Sequence, residues 1–257
     1  MLLAIDVGNT NVVFALVEGE TIVHRWRIST EHARTADEYA VWLSQLMQLE
    51  GIERAAVTAA IISTVVPPAL FDLRRLCSKY FHVEALVIGD PGIDPGIGIN
   101  VPSPGEVGAD RIVNSAAAFA RYGNDLIVVD FGTATTFDTI MDGAYVGGAI
   151  APGITLSMEA LYMAAAKLPR IAIEPPANGR ALAQGTVPAM QSGIFFGYVG
   201  LVEGLVRRIK SDMARPATVI GTGGLATLFN RHTDVIDHVD GDLTIRGLAL
   251  IHARNSN

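Results

Sequence analysis

A chain of 257 residues, half of them apolar, 18% charged and 7% aromatic, can bury a core without disulfide or metal support. Its formal net charge of −7 excludes the broad basic face that nucleic-acid binding needs, while a small anionic substrate held by one arginine or a helix N-terminus stays open. Cys77 is the single cysteine, so no intramolecular disulfide can form and a reducing cytoplasm is the expected location. Its helical spacing from Leu70 and Leu73 reads as a buried apolar residue, not a nucleophile.

The N-terminal stretch MLLAIDVGN has no basic n-region, and its apolar run is too short for a signal peptide. Two charge-free stretches, residues 55–71 and 143–158, are interrupted by proline or glycine and read as core strands and turns, so no membrane association is expected.

In chain order, AIDVGN is an apolar strand running into a small polar turn. NVVFALV is a second strand, Glu18-Gly19 a hairpin signal, and TIVHRWR a third strand. Thr35 and Glu38 form a capping box before the helical ADEYAVWLSQLMQL. TAAIIST reads as a buried strand, PPALFDLRRLCSKY as a helix and VEALVI as a strand. Ser103, Pro104 and Glu106 are expected to open one helix through EVGADRIVNSAAAFARY.

The opening grammar then repeats at an offset of 124 residues: Asp6 aligns with Asp130, Gly8 with Gly132, Asn9 with Thr133, and Glu18-Gly19 with Asp142-Gly143. AYVGGAIA is the repeat's third strand, the segments from Gly153 and from Pro188 read as helices, ATVIGTGG as a strand into a glycine-rich turn, and residues 243–253 as helix. Both copies are α/β with mixed sheets, which predicts halves at 1–122 and 123–257 and a cleft in which both Asp-x-Gly turns point at one ligand.

The chemistry sits on four motifs. In Asp6-Val7-Gly8-Asn9-Thr10, the glycine lets backbone N–H groups approach a phosphate, and Asp6 can hold Mg²⁺ through water. Taken alone this is an ordinary turn. The second copy, Asp130-Phe131-Gly132-Thr133-Ala134-Thr135-Thr136, adds three threonine hydroxyls, and together the two favour an ATP clamp. Gly221, Gly223 and Ala226 fit a dinucleotide fingerprint, but only about 31 residues follow, too few for the rest of such a fold; a nucleoside-contacting turn fits better. In Glu106-Val107-Gly108-Ala109-Asp110-Arg111, Asp110 suits a base for an attacking hydroxyl and Arg111 a clamp for an anion; spacing alone weighs equally for a surface acid–arginine pair. The six histidines show no metal-ligand spacing, and no Walker lysine, kinase HRD or DFG set or nucleophile elbow is present.

DVGNTN, EVGADR, DFGTATT and GTGG, in this order, resemble the motif set of type III pantothenate kinases, within the superfamily of sugar kinases, Hsp70 and actin. The resemblance covers nearly the whole chain. It implies a duplicated actin-like (ribonuclease H-like) fold with an ATP cleft between two mixed-sheet halves, and ATP-dependent phosphorylation of pantothenate, the first step towards coenzyme A. It also implies that Asp6, Val7, Gly8, Asn9, Thr10, Asn11, Val12 and Val13 form one ATP-phosphate element, with Thr133 in the second. With Gly221, Gly223 and Gly224 read as the nucleoside turn, the ATP contacts are complete. Gly108, Ala109, Asp110 and Arg111 would bind pantothenate, with Asp110 as proton acceptor; Asp130 would hold a monovalent cation, K⁺ or NH₄⁺; Thr186 would reach pantothenate across a homodimer interface. One position departs: many members carry a substrate-contacting tyrosine seven residues before the motif glycine, and here Val101 stands there without a hydroxyl.

Three other classes compete: a non-catalytic nucleotide-binding regulator on the same fold, an actin-like filament protein, and a kinase for another small alcohol. Asp110 beside both phosphate motifs argues against the first; nucleotide-dependent sedimentation discriminates the second, and a screen of alcohols for ADP release the third.

Overall fold

A computed structural model describes residues 1–164 and 168–256. The chain forms two compact units, one from Met1–Arg121 with the residues from Asp242 onward, the other from Tyr122–Gly241.

In the first unit, β1 (Leu2–Val7), β2 (Asn11–Glu18) and β3 (Thr21–Ser29) form an antiparallel meander. On the other side of β1, β4 (Ala59–Thr64) pairs parallel to it and β5 (Ala85–Val87) parallel to β4, giving the order β3-β2-β1-β4-β5. One face is covered by α1 (Ala36–Leu49) and α2 (Pro67–Leu76), whose Tyr39, Leu43 and Leu73 pack with Leu3, Ile5, Phe14 and Ile62 in one core. Full burial of each such side chain is worth about 1.5–3 kcal/mol over leaving it exposed.

The capping box at Thr35 and Glu38 is present, with the Thr35 hydroxyl accepting from the Glu38 N–H and the Glu38 carboxylate accepting from the Thr35 N–H. Helix α2 starts on Pro67 and Pro68 and passes at Cys77 into a single π turn. Cys77 is buried, and burial pushes its thiol up to about 12, in keeping with a packing role.

After the short strand β6 (Gly98–Ile99), the expected single helix from Ser103 is divided. Pro104–Glu106 make a 3₁₀ turn, the Ser103 side chain forms no cap, Val107 is extended, and α3 begins at Ala109 (Ala109–Tyr122). Extended backbone at Val107 breaks the run of i→i+4 bonds that a continuous helix requires.

The second unit repeats the plan. β7 (Leu126–Phe131), β8 (Ala134–Met141) and β9 (Ala144–Pro152) form an antiparallel meander; β10 (Thr218–Gly223) pairs parallel to β7, and β11 (His238–Val239) parallel to β10. The run β9-β8-β7-β10-β11 matches β3-β2-β1-β4-β5 in order and in every strand direction. The turn of the second hairpin places both Asp142 and Gly143 at positive φ, as the tight hairpin signal requires.

Its core joins Ile127, Val129 and Phe137 to Phe195 and Val202 of α5 (Thr186–Met213) and to Phe229 of α6 (Ala226–Asn230). α5 is the helix, among the described residues, whose length and composition would allow it to cross a membrane. Its buried Phe195, Tyr198, Val202 and Val206 and its charged Glu203, Arg207, Arg208 and Lys210 read as a core helix with a solvated face. Helix α4 (Ile154–Ala164) precedes it.

The C-terminal helix α7 (Leu243–Asn255) belongs to the first unit, where the division at residue 122 put it with the second. It packs on β1 and β4, buries Leu248 and Ile251, and its Thr244 hydroxyl donates to Asn114 Oδ1 of α3 at 2.7 Å. The face of β1 and β4 opposite α1 and α2 needs an apolar cover, and α7 provides it.

Candidate active site

In the first unit, β1 carries Asp6 near its C-terminal end at the middle of the sheet, and Gly8 to Thr10 turn the chain into β2. The turn is closed by the Gly8 N–H donating to the Asn11 carbonyl at 3.0 Å. Thr30, just beyond β3, ties it from outside: its hydroxyl donates to the Gly8 carbonyl at 2.7 Å and its N–H to the Thr10 carbonyl at 2.9 Å. With these carbonyls engaged, Asn9 and Thr10 stay exposed and Asp6 partly buried. That is a fixed polar loop with two exposed side chains.

The same unit brings Gly108–Arg111 to this loop's neighbourhood. Val65, after β4, donates its N–H to the Val7 carbonyl at 3.1 Å, and its side chain lies 3.5 Å from where a Cβ on Gly108 would stand. The Gly108 carbonyl accepts from the N–H groups of Arg111 and Ile112, starting α3. Asp110 folds back so that its Oδ1 accepts from the Arg111 N–H at 2.8 Å. Burial raises the Asp110 carboxyl above the usual aspartate range, outweighing the Arg111 N–H bond and the Arg111 charge, which lower it. A partly desolvated carboxylate with raised basicity at a helix start is suited to accept a proton from an alcohol.

In the second unit, the Gly132 N–H donates to the Ala134 carbonyl at 3.1 Å, and Gly153, just beyond β9, donates to the Thr133 carbonyl at 3.1 Å. Each Asp-x-Gly turn is thus tied down by the residue that follows its third strand. The three threonine hydroxyls lie in different surroundings. Thr133 is exposed; Thr135 is fully buried with its hydroxyl against that of Tyr198; Thr136 donates to Asp138 Oδ2 at 2.8 Å. The two-residue period of β8 turns Thr135 into the core, out of a ligand's reach.

The glycine turn after β10 meets Asp130 directly. Thr222 is in register with Asp130 and Gly223 with Phe131; Gly223 has φ +87°, and a Cβ there would overlap Asp130 Oδ1 and lie 2.7 Å from the Phe131 carbonyl. Gly221 is buried against Ile236, and Gly224 is exposed.

These motifs in this topology match known proteins. A family model described as type III pantothenate kinase matches residues 2–208. A type III pantothenate kinase of Rhizorhabdus wittichii is 60% identical over 99% of this chain and 98% of its own, and one of Paramagnetospirillum magneticum 58% identical over 100% and 98%. The chain belongs to the type III pantothenate kinase family. It is accordingly an enzyme, a kinase that phosphorylates pantothenate in coenzyme A biosynthesis. Among solved structures, a Campylobacter jejuni protein described as a Baf family transcriptional activator aligns over 99% of both chains with a TM-score of 0.63 at 20% identity. A Sinorhizobium meliloti protein described as a 2-dehydro-3-deoxygalactonokinase aligns over 98% of this chain and 96% of its own, with a TM-score of 0.55 at 13% identity. At such identities the likeness shows the fold, which is the duplicated actin-like one.

For a type III pantothenate kinase, the remaining expected residues fall as follows. Thr186 is exposed in the first turn of α5, Glu106 is exposed on the 3₁₀ turn, and Val101 is partly buried. Among the described residues no group of three His, Cys, Asp or Glu side chains forms a metal cluster. Sequence reasoning missed the tethers Thr30 and Gly153. Each directly follows a third strand, and that shared position was the available signal.

Proposed function

We propose that the chain transfers the γ-phosphoryl group of ATP to the primary hydroxyl of pantothenate, with Asp110 as proton acceptor. The observation carrying this reading is the partly buried Asp110 carboxylate, fixed by the Arg111 N–H in a segment that Val65 links to the Asp6 turn. The attacking hydroxyl loses its proton as the bond to phosphorus forms; in a loose transition state the base orients it first and takes the proton late. Arg111 supplies the charge to hold the pantothenate carboxylate.

Asp6 to Val13 and Thr133 are the proposed phosphate elements, with Gly221, Gly223 and Gly224 at the nucleoside. Asp6 fits Mg²⁺ held through water, because it is a half-buried carboxylate beside the tethered turn. Asp130 fits a monovalent cation because alkali cations take hard oxygen ligands such as its carboxylate, which lies against the glycine turn after β10 where a Gly223 side chain would otherwise stand. When bound, these ions neutralise charge on the phosphates.

A homodimer with Thr186 contributed in trans is supported by the exposed apolar residues Leu156, Leu161, Tyr162 and Met163 of α4, with Leu182 and Val187 near Thr186 in sequence. A cytoplasmic location agrees with a biosynthetic kinase whose one cysteine is a buried thiol.

The test is ADP release with pantothenate, beside ATP binding by calorimetry. Asp110→Asn is expected to cut turnover by about 10²–10⁴ with ATP affinity little changed. A fall of less than about tenfold removes Asp110 from the role and moves it to Glu106.

A further inference from the structure

Both units place a buried hydroxyl residue on the strand parallel to the Asp-x-Gly strand, in register with the aspartate. Ser63 of β4 is the partner of Asp6, and Thr222 of β10 the partner of Asp130. Ser63 is fully buried and Thr222 nearly so. The Ser63 hydroxyl makes no hydrogen bond among the described residues. A buried hydroxyl without a partner is disfavoured, and alanine fills the same position without that cost.

The direction of this hydroxyl follows from the strand period. Leu3, Ile5 and Val7 of β1 and Ala60 and Ile62 of β4 belong to the core under α1 and α2. Asp6 and Ser63 therefore both point to the opposite face. Registered neighbours on adjacent strands stand about 4.8 Å apart along the hydrogen-bonding direction, a span that one bridging water can close between a serine hydroxyl and a carboxylate.

We infer that Ser63 is a positioning residue for Asp6. When Mg·ATP is bound, its hydroxyl would donate through a bridging water to the Asp6 carboxylate and so hold that group for the cation. This rests on the reading of Asp6 as the carboxylate that holds Mg²⁺. Outer partners of this kind orient a ligating carboxylate and set cation affinity without touching substrate.

The experiment compares the parent, Ser63→Ala and Asp6→Asn in the full-length enzyme. Calorimetry gives ATP affinity with Mg²⁺ and with a chelator, and steady-state rates give the Mg²⁺ concentration for half-maximal activity. In Ser63→Ala, affinity for Mg·ATP is expected to fall about tenfold and the Mg²⁺ requirement to rise in step, with metal-free ATP affinity changing less than about twofold. Unchanged Mg·ATP affinity in folded Ser63→Ala, with a shifted requirement in Asp6→Asn, overturns the role of Ser63 and leaves Asp6 in place. An unchanged requirement in Asp6→Asn overturns both. Ser63→Cys, similar in size and a poor donor, is expected to behave as Ser63→Ala and replaces it should that variant fail to fold.

Discussion

Gly108 and Asp110 share one small space: a Cβ on Gly108 would lie 2.6 Å from Oδ1 of Asp110, the oxygen that accepts from the Arg111 N–H. A side chain there forces the carboxylate off that bond. Gly108→Ala is therefore expected to lower turnover by about two orders of magnitude, the lower range for a displaced base, with ATP affinity nearly unchanged. Steady-state rates beside calorimetry check this; a variant with parental turnover shows that the carboxylate does not need this position.

With Asp110 as the proposed base, the expected pH dependence has a definite sign. Burial raises its folded pKa above that of the unfolded chain. A base works ionised, so kcat/KM should fall on the acid side at a pH above the ordinary aspartate range. For stability the relation runs the other way: the contribution of the carboxyl is complete below its unfolded pKa and is lost as pH rises through the raised folded pKa. Asp110→Asn should consequently withstand more urea than the parent at neutral pH, and the difference should shrink in acid. A parent more stable than the variant at neutral pH contradicts the burial cost.

Gly8 separates ligand from fold. A Cβ there comes no closer than 3.4 Å to its nearest neighbour, the Asn11 carbonyl, so the protein accommodates it. Gly8→Val should melt near the parental temperature and still bind ATP at least about tenfold more weakly, because the side chain occupies the approach of the phosphates. Parental ATP affinity in the folded variant removes this turn from the phosphate site.

The sequence carried the local devices well. The capping box at Thr35, the turn at Asp142-Gly143 and both Asp-x-Gly turns depend on residues a few positions apart. The duplication was legible for the same reason, since aligned strands and turns imply aligned pairing. What escaped depends on distant partners. α7 joins the first unit because the β1–β4 face lacks cover, which no nearby residue announces. Thr135 reads as a ligand hydroxyl until the phase of β8 sends it to Tyr198. The single helix expected from Ser103 is divided where Val107 takes extended backbone.

Asp130 should couple activity to a monovalent cation. Parental rates should differ between sodium and potassium buffers, and Asp130→Asn should weaken that difference or abolish activity. The carboxylate oxygen sits where a Gly223 side chain would be, so Gly223→Ala, strained in addition by φ +87°, should show the same loss of cation response along with reduced stability of about 1–3 kcal/mol. Identical responses in parent and Asp130→Asn reject the role.

Thr186 tests the shared site. It is exposed at the start of α5, and Leu182, Val187 and the exposed apolar side chains of α4 give a second copy something to cover. If each site takes Asp110 from one protomer and Thr186 from the other, Asp110→Asn and Thr186→Arg homodimers are both inactive. A mixed dimer then holds one doubly damaged site and one intact site, built from the Asp110 of the Thr186→Arg protomer and the Thr186 of the Asp110→Asn protomer. Random exchange of equal amounts makes about half of the dimers mixed, so recovered activity should approach about a quarter of the parental value. Exchange is verified independently by pull-down through a tag on one variant. Verified exchange without recovery places Thr186 in its own protomer's site or outside the site altogether, whereas recovery that scales with the mixed fraction requires the contact across the interface.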